Sequence, residues 1–305
     1  MLHQPTVEKL LAMRMEPIVE TWRGFEQDEN AQQLSFEEKL SLMVDRLWTW
    51  RQNQALERRL RYAKLRGNAC VEDVDYRTSR GLDRTLMRSL ANDSAWVQRH
   101  ENVFVIGPTG VGKSFLACAL AQKACRDGHL VLYTRAAALF RDLNLARADG
   151  SLRSLLARLS RVEVLVVDDW AMAPLADAER RDFWELCDER YQMRSTILTS
   201  QLPVARWHEQ VGDDTIADGI LDHLVHNAHH IELRGESMRK AKAKKPEPNR
   251  KAEPKATLGF SGRRAEEGTS GAVPYSATPS LLNLLDDPDH LPPQSRRQRR
   301  CAPIT

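Results

Sequence analysis

Apolar residues in the middle of the chain fall into five short runs: Asn102–Ile106, Leu130–Thr134, Val162–Val167, Ser195–Thr199 and His230–Leu233. Each is rich in Val, Ile, Leu or Thr and short enough for a strand. Between the first four lie stretches of helical periodicity, Lys113–Arg126, Ala136–Ala148 and Asp177–Met193. Regular alternation of strand and helix predicts a parallel α/β sheet.

The pattern upstream is helical. Ser35-Phe36-Glu37-Glu38 reads as a capping box, and Phe36, Leu40, Met43, Leu47 and Trp50 follow at spacings of four and three. That spacing predicts an amphipathic helix packing this face on a neighbour. Gly67 and Asn68 end the pattern. The chain therefore divides into a helical part at 1–66, an α/β part at 67–240 and a tail at 241–305. The segment from residue 239 onward holds nine of the fourteen prolines and is rich in Lys, Ala, Glu, Gly and Ser. This composition predicts disorder, with Ser280–Leu285 as a short turn or docking peptide at most.

Composition narrows the class. No apolar run approaches a membrane span, and the N-terminus lacks the apolar stretch of a signal peptide. The five cysteines are scattered and include no CxxC pair, which fits reduced thiols in a cytoplasmic protein. The net charge of +3 is uneven: from Arg239 onward 14 Lys/Arg face 7 Asp/Glu, leaving the body slightly acidic. A nucleic-acid surface on the body must then be a local patch. Arg51, Arg58, Arg59, Arg61, Lys64 and Arg66 face only Glu57 in opposition and form one candidate. Such a stretch is either a solvated helix face or a DNA contact.

The candidate chemistry lies in the α/β part. Gly107-Pro108-Thr109-Gly110-Val111-Gly112-Lys113-Ser114 matches GxxxxGK[ST], with the strand VFVI before it and the helical FLACALAQKA after it. Its glycines let backbone amides point at phosphate oxygens, and the following helix adds its dipole. Lys113 is placed to neutralise the β- and γ-phosphates of ATP and Ser114 to ligate Mg2+. Phe115 continues the loop into the helix.

The run Val162–Val167 ends in Asp168 and Asp169. Ligands bind at the C-terminal ends of parallel strands. Asp168 fits the Walker B acid that holds Mg2+, and Asp169 the group that orients or deprotonates the attacking water. A kinase needs only the first acid, so the pair favours hydrolysis. The next strand ends in Ser200 and Gln201, either of which is placed to hydrogen-bond the γ-phosphate or the water.

Taken together, Pro108–Leu120, Leu165–Trp170, Arg190-Tyr191, STILTSQLPVARW at Ser195–Trp207, TIADGILDHL at Thr215–Leu224 and GESMRK at Gly235–Lys240 resemble the IstB family. These are AAA+ ATPases encoded beside the transposase of certain insertion sequences, related to the helicase loader DnaC and the initiator DnaA. The resemblance implies a AAA+ P-loop core with a parallel five-stranded sheet, a small all-α N-terminal domain for DNA binding and oligomerisation, and a disordered tail outside it. It implies a homo-oligomer on double-stranded DNA, ATP at subunit boundaries and a partner transposase encoded alongside. Arg239 is implied as the sensor-2 arginine, a catalytic and phosphate-contacting residue. Phe140–Arg161 is implied as a helical insertion facing DNA, whose Arg141, Arg147, Arg153 and Arg158 make a second basic patch. Tyr76–Arg84 is implied on the adenine side.

One departure stands out. The helix after TIADxILD usually continues with an arginine, a candidate finger for the neighbouring subunit; here it is His223, and a second usual arginine is His230. Histidine is mostly neutral at pH 7 and lacks the planar fork. Hydrolysis is then slow, or another arginine such as Arg190 serves. A DnaC-like helicase loader and a P-loop small-molecule kinase stand as alternative functions.

Overall fold

The computed structural model of the protein describes residues 4–238. Arg239 and the tail at 241–305, with Ser280–Leu285, lie outside the described residues. The described helices are α1 (Gln4–Ala12), α2 (Glu16–Gln27), α3 (Glu29–Gln32), α4 (Phe36–Ala63), α5 (Arg84–Asp93), α6 (Ala95–Gln98), α7 (Lys113–Arg126), α8 (Ala136–Asp149), α9 (Leu152–Arg161), α10 (Asp177–Arg190), α11 (Trp207–Val211) and α12 (Asp214–Val225). The strands are β1 (Asn102–Ile106), β2 (Val131–Arg135), β3 (Val164–Trp170), β4 (Ser195–Ser200) and β5 (Ala228–Glu232).

The strands form one parallel sheet in the order β2-β3-β4-β1-β5. Parallel strands covered on both faces must be apolar throughout, and β1 is buried at every position. Alternate residues enter two cores. Phe104, Ile106, Leu165 and Val167 meet Leu139, Leu155, Phe183 and Trp207 on one face. Val103, Val105, Val164 and Val166 meet Leu116, Leu120, Met87 and Ala63 on the other. β5 begins at Ala228, two residues before the sequence pattern places it. The ladder starts there because the Asn102 amide donates to the Asn227 carbonyl at 2.8 Å. β3 runs past Val167 to include both acids, with an irregularity in its pairing to β4 between Val167 and Trp170.

α4 starts where the capping box predicts. Glu38 N donates to Ser35 Oγ at 3.2 Å and Ser35 N donates to Glu38 Oε2 at 2.8 Å. The expected packing face is only half realised. Met43 and Leu47 are buried, whereas Phe36 is 71% exposed and Leu40 is exposed as well. α2 packs along one side of α4. The row Phe36, Leu40, Val44, Trp48, spaced by four, lies outside that contact and remains exposed. The last turns of α4 belong to the α/β core: Ala63 is fully buried among α7 and β1 residues, and Tyr62 packs against the other core. One continuous helix thus starts in the helical part and ends packed in the α/β cores.

Candidate nucleotide site

The P-loop connects β1 to α7. Its turn needs left-handed backbone at Gly110 (φ +86) and Gly112 (φ +102), and both positions are also sterically closed. A Cβ at Gly110 would lie 2.2 Å from Ser237 Oγ, and one at Gly112 would lie 2.6 Å from an Arg80 guanidinium nitrogen. The loop is therefore gripped from both sides in sequence. Met238 N donates to the Gly110 carbonyl at 2.9 Å, and Arg80 donates to the Val111 carbonyl at 2.9 Å and to the Asp75 carbonyl at 3.1 Å. Arg80 is 4% exposed, and Met238 Sδ lies 3.2 Å from the same guanidinium.

Lys113 opens α7 with its chain curled over the loop, Nζ donating to the Pro108 carbonyl at 2.9 Å. Burial lowers its pKa, opposed by the charges of Asp169 and Asp168. A buried ammonium beside few acceptors is suited to a polyanion that replaces its lost hydration. Ser114 Oγ donates to Asp168 Oδ1 at 2.9 Å. Hydroxyl and carboxylate oxygens at that spacing are the hard donors Mg2+ prefers, and they fit the ion.

Asp168 is fully buried and held by two further hydroxyls. Thr199 Oγ1 donates to Oδ1 at 2.5 Å, and Tyr133 OH donates to Oδ2 at 2.7 Å. Burial, with Asp168 beside it, pushes the Tyr133 phenol up, so it stays a donor. Asp169 lies at φ +59, a left-handed conformation that Asp tolerates better than most residues. Its amide donates to Thr199 Oγ1 at 3.0 Å. This turn at the end of β3 sends Asp168 under the loop and Asp169 into the cleft. Strain of this kind concentrates where a side chain must be aimed. Behind it, Trp170 stacks on Phe183 at 4.3 Å between ring centroids and fixes the strand end.

A cleft of roughly 820 Å³ runs over the loop. Thr109, Gly110, Gly112, Lys113, Ser114, Phe115 and Asp169 line it, joined by Gln201, Met172 and the cations Arg66, Arg80 and Arg135. Gly107 and Val111 are buried behind the loop, and Pro108 lies exposed on it. Ser200 is turned inward: its Oγ donates to the Trp170 carbonyl at 2.9 Å and accepts the Leu202 amide at 3.1 Å. Of the two polar residues ending β4, it is Gln201 that faces the cleft. Tyr133, Thr199 and Arg135 were not apparent from motifs, whereas Arg80 falls within Tyr76–Arg84, the stretch expected beside the nucleotide. For the first two the sequence shows only that a hydroxyl inside a buried strand must find some partner; the structure supplies Asp168.

The remaining candidates separate. Arg190 is 3% exposed and donates to the carbonyls of Leu159, Val162 and Ser195 and to Thr196 Oγ1, so it cannot reach out of the molecule as a finger. His223 stacks on Tyr191 at 4.4 Å between ring centroids. In the basic patches, Arg58, Arg61, Arg141 and Arg153 are exposed. Arg59 instead donates to the Cys125 carbonyl at 2.8 Å, closing the end of α7, and the Lys64 ammonium is buried near Asp142 with its pKa lowered by burial. Arg158 is half-buried, close enough for its charge to act on Tyr62. Tyr62 near the end of α4 packs on the core that α8 and α9 share, and the charges of Lys64 and Asp142 lie close enough to act on each other.

Sheet, loop and paired acids define a P-loop ATP-binding protein of the AAA+ type. The chain belongs to the IstB-like ATP-binding family, whose model matches residues 8–246. It is 48% identical over 245 residues to the insertion sequence ATP-binding protein y4pL of Sinorhizobium fredii, covering 80% of this chain and 100% of that one. It is 37% identical over 207 residues to the IS21 ATP-binding protein of Pseudomonas aeruginosa, covering 68% and 78%. Among solved structures it is similar to DnaI (TM-score 0.48, 22% identity, 54% of this chain and 91% of that one). It is also similar to AMPPCP-bound DnaA from Aquifex aeolicus (TM-score 0.48, 17% identity, 63% and 58%). Among the described residues, no helix is long and apolar enough to cross a membrane.

Proposed function

We propose that this protein is a cytoplasmic, Mg2+-dependent ATPase that assists DNA transposition. In this reading it oligomerises on double-stranded DNA and recruits and stimulates the transposase encoded alongside. The observation that carries the reading is the joining of Ser114 Oγ to Asp168 Oδ1 at 2.9 Å with Asp169 directed into the same cleft. Family membership and the names of its insertion-sequence relatives support the transposition context.

The P-loop amides and Lys113 bind the phosphates, and Arg239, next after the cleft-lining Met238, adds a second phosphate contact. Ser114 and Asp168 would hold Mg2+, which would neutralise charge developing on the phosphoryl oxygens. Asp169 orients the attacking water and takes its proton, with Gln201 fixing the water or the γ-phosphate. With His223 at the usual finger position and Arg190 buried, neither offers an arginine to a neighbouring subunit's site, so turnover without another trans-acting group is slow, by a factor on the order of 10³. Double-stranded DNA binds over Arg58, Arg61, Arg141 and Arg153, with Arg158 at the edge of the patch.

The test combines phosphate release by the full-length protein, with and without duplex DNA, and capture of partners from a defined mixture of the transposase and a replicative helicase. DNA-stimulated phosphate release and transposase capture support the reading. Helicase capture alone sinks the transposition role, and phosphoryl transfer to a small molecule without DNA sinks the ATPase assignment.

A further inference from the structure

Asp168 is a fully buried carboxylate with an unequal set of donors. Oδ1 takes two hydroxyls, from Ser114 at 2.9 Å and Thr199 at 2.5 Å. Oδ2 takes Tyr133 at 2.7 Å. Tyr133 lies on β2, one strand beyond the acid and on the far side of β3 from the P-loop strand. Its register partner on β3 is Val166, two residues before Asp168. The phenol therefore spans from a neighbouring strand to the outer oxygen of the carboxylate, and the ring is buried in the core beneath it.

We propose that Tyr133 is a positioning residue for the metal, holding Oδ2 of Asp168 so that Oδ1 and Ser114 Oγ stay turned toward the Mg2+–nucleotide. This rests on the reading of the cleft as an Mg2+–ATP site. The reasoning is a competition for donors. A buried carboxylate oxygen left without a donor is costly. Without the phenol, the carboxylate rotates to share Thr199 and Ser114 between its two oxygens. Ser114 is then drawn toward the acid and away from the ion. Partners that orient a ligand in this way alter metal affinity without touching the metal.

The experiment uses full-length wild-type protein and the Tyr133→Phe variant, which keeps the packed ring and removes only the hydroxyl. Binding of a fluorescent ATP analogue is followed first in chelator and then during Mg2+ titration. The expected result is unchanged metal-free affinity and an Mg2+ midpoint raised on the order of 10-fold. A second pair, Asp168→Asn with and without Tyr133→Phe, should show no further shift from losing the hydroxyl. Equal midpoints for wild type and Tyr133→Phe overturn the proposal, as does the same shift in both backgrounds. Wild-type binding indifferent to Mg2+ overturns instead the Mg2+–ATP reading beneath it. Loss of melting temperature alone, with the midpoint unmoved, leaves Tyr133 a packing residue and also overturns the proposal.

Discussion

Thr199 Oγ1 donates to Asp168 Oδ1 at 2.5 Å and accepts the amide of Asp169 at 3.0 Å. One hydroxyl at the end of β4 thereby fixes both the carboxylate proposed to hold the metal and the left-handed turn that aims the proposed base. Thr199→Val keeps the shape and removes both bonds. We expect turnover to fall by more than about 10-fold while ATP affinity changes little, because the P-loop is untouched. The fold should lose about 1–3 kcal/mol for the unsatisfied buried groups. Phosphate release, nucleotide binding and chemical denaturation check the three effects.

Two charged residues of the cleft, Lys113 and Asp169, separate binding from chemistry. Lys113→Ala removes the buried ammonium and should abolish detectable nucleotide binding. Asp169→Asn should leave binding intact and stop hydrolysis, since the amide cannot take the proton of the water. Normal hydrolysis by Asp169→Asn would show that the acid has another role. Equilibrium binding and single-turnover kinetics on the two variants decide this.

The glycine at 110 is required by a neighbour as well as by its own dihedral angles. A methyl there would lie 2.2 Å from Ser237 Oγ and 2.7 Å from Ser237 Cβ. Gly110→Ala should therefore weaken ATP binding and lower the melting temperature. Ser237→Gly in the same chain should restore part of both losses, because it removes the two atoms in conflict. The remaining deficit reflects the positive φ, on the order of 1 kcal/mol for a residue with a side chain. Absence of any rescue would mean that the dihedral term alone accounts for the loss.

Three arginines near the end of α4 should not behave alike. Arg58 and Arg61 are exposed, whereas Arg59 closes the end of α7 through the Cys125 carbonyl. Reversing Arg58 and Arg61 to Glu should weaken duplex binding and reduce its salt dependence, with melting unchanged. Reversing Arg59 should chiefly lower the melting temperature. Fluorescence anisotropy at several salt concentrations, beside thermal unfolding, separates the outcomes. Undiminished DNA binding by the double reversal would remove α4 from the interface.

Much of this architecture was legible along the chain because its signals are local. Val, Ile and Leu runs of strand length, broken by helical periods, specify a covered parallel sheet, since only such strands must be apolar on both faces. The capping box set the start of α4 to the residue, because its hydrogen bonds span three positions. The P-loop was legible because phosphate binding demands those residue types at that spacing, and the two acids stood out because they close an otherwise apolar strand. Less visible was which side chains already had other work. Arg59, Lys64, Arg190 and Ser200 look like their exposed counterparts in a linear reading, and only the packed structure shows Arg59, Arg190 and Ser200 hydrogen-bonded to other elements and the Lys64 ammonium buried.

By itself the sequence determined the kind of fold, the ATP-binding loop and the family, all of which follow from short-range pattern and motif. The tertiary structure alone decided how Asp168 and Asp169 divide, one under the loop and one in the cleft. It also set Tyr133 and Thr199 around the buried acid, and packed the end of α4 into the α/β cores through Tyr62 and Ala63. These relations bring together residues far apart in the chain. The reason they escape the sequence is physical: a hydrogen bond or a steric limit depends on distance in space, which only the packed sheet and helices supply.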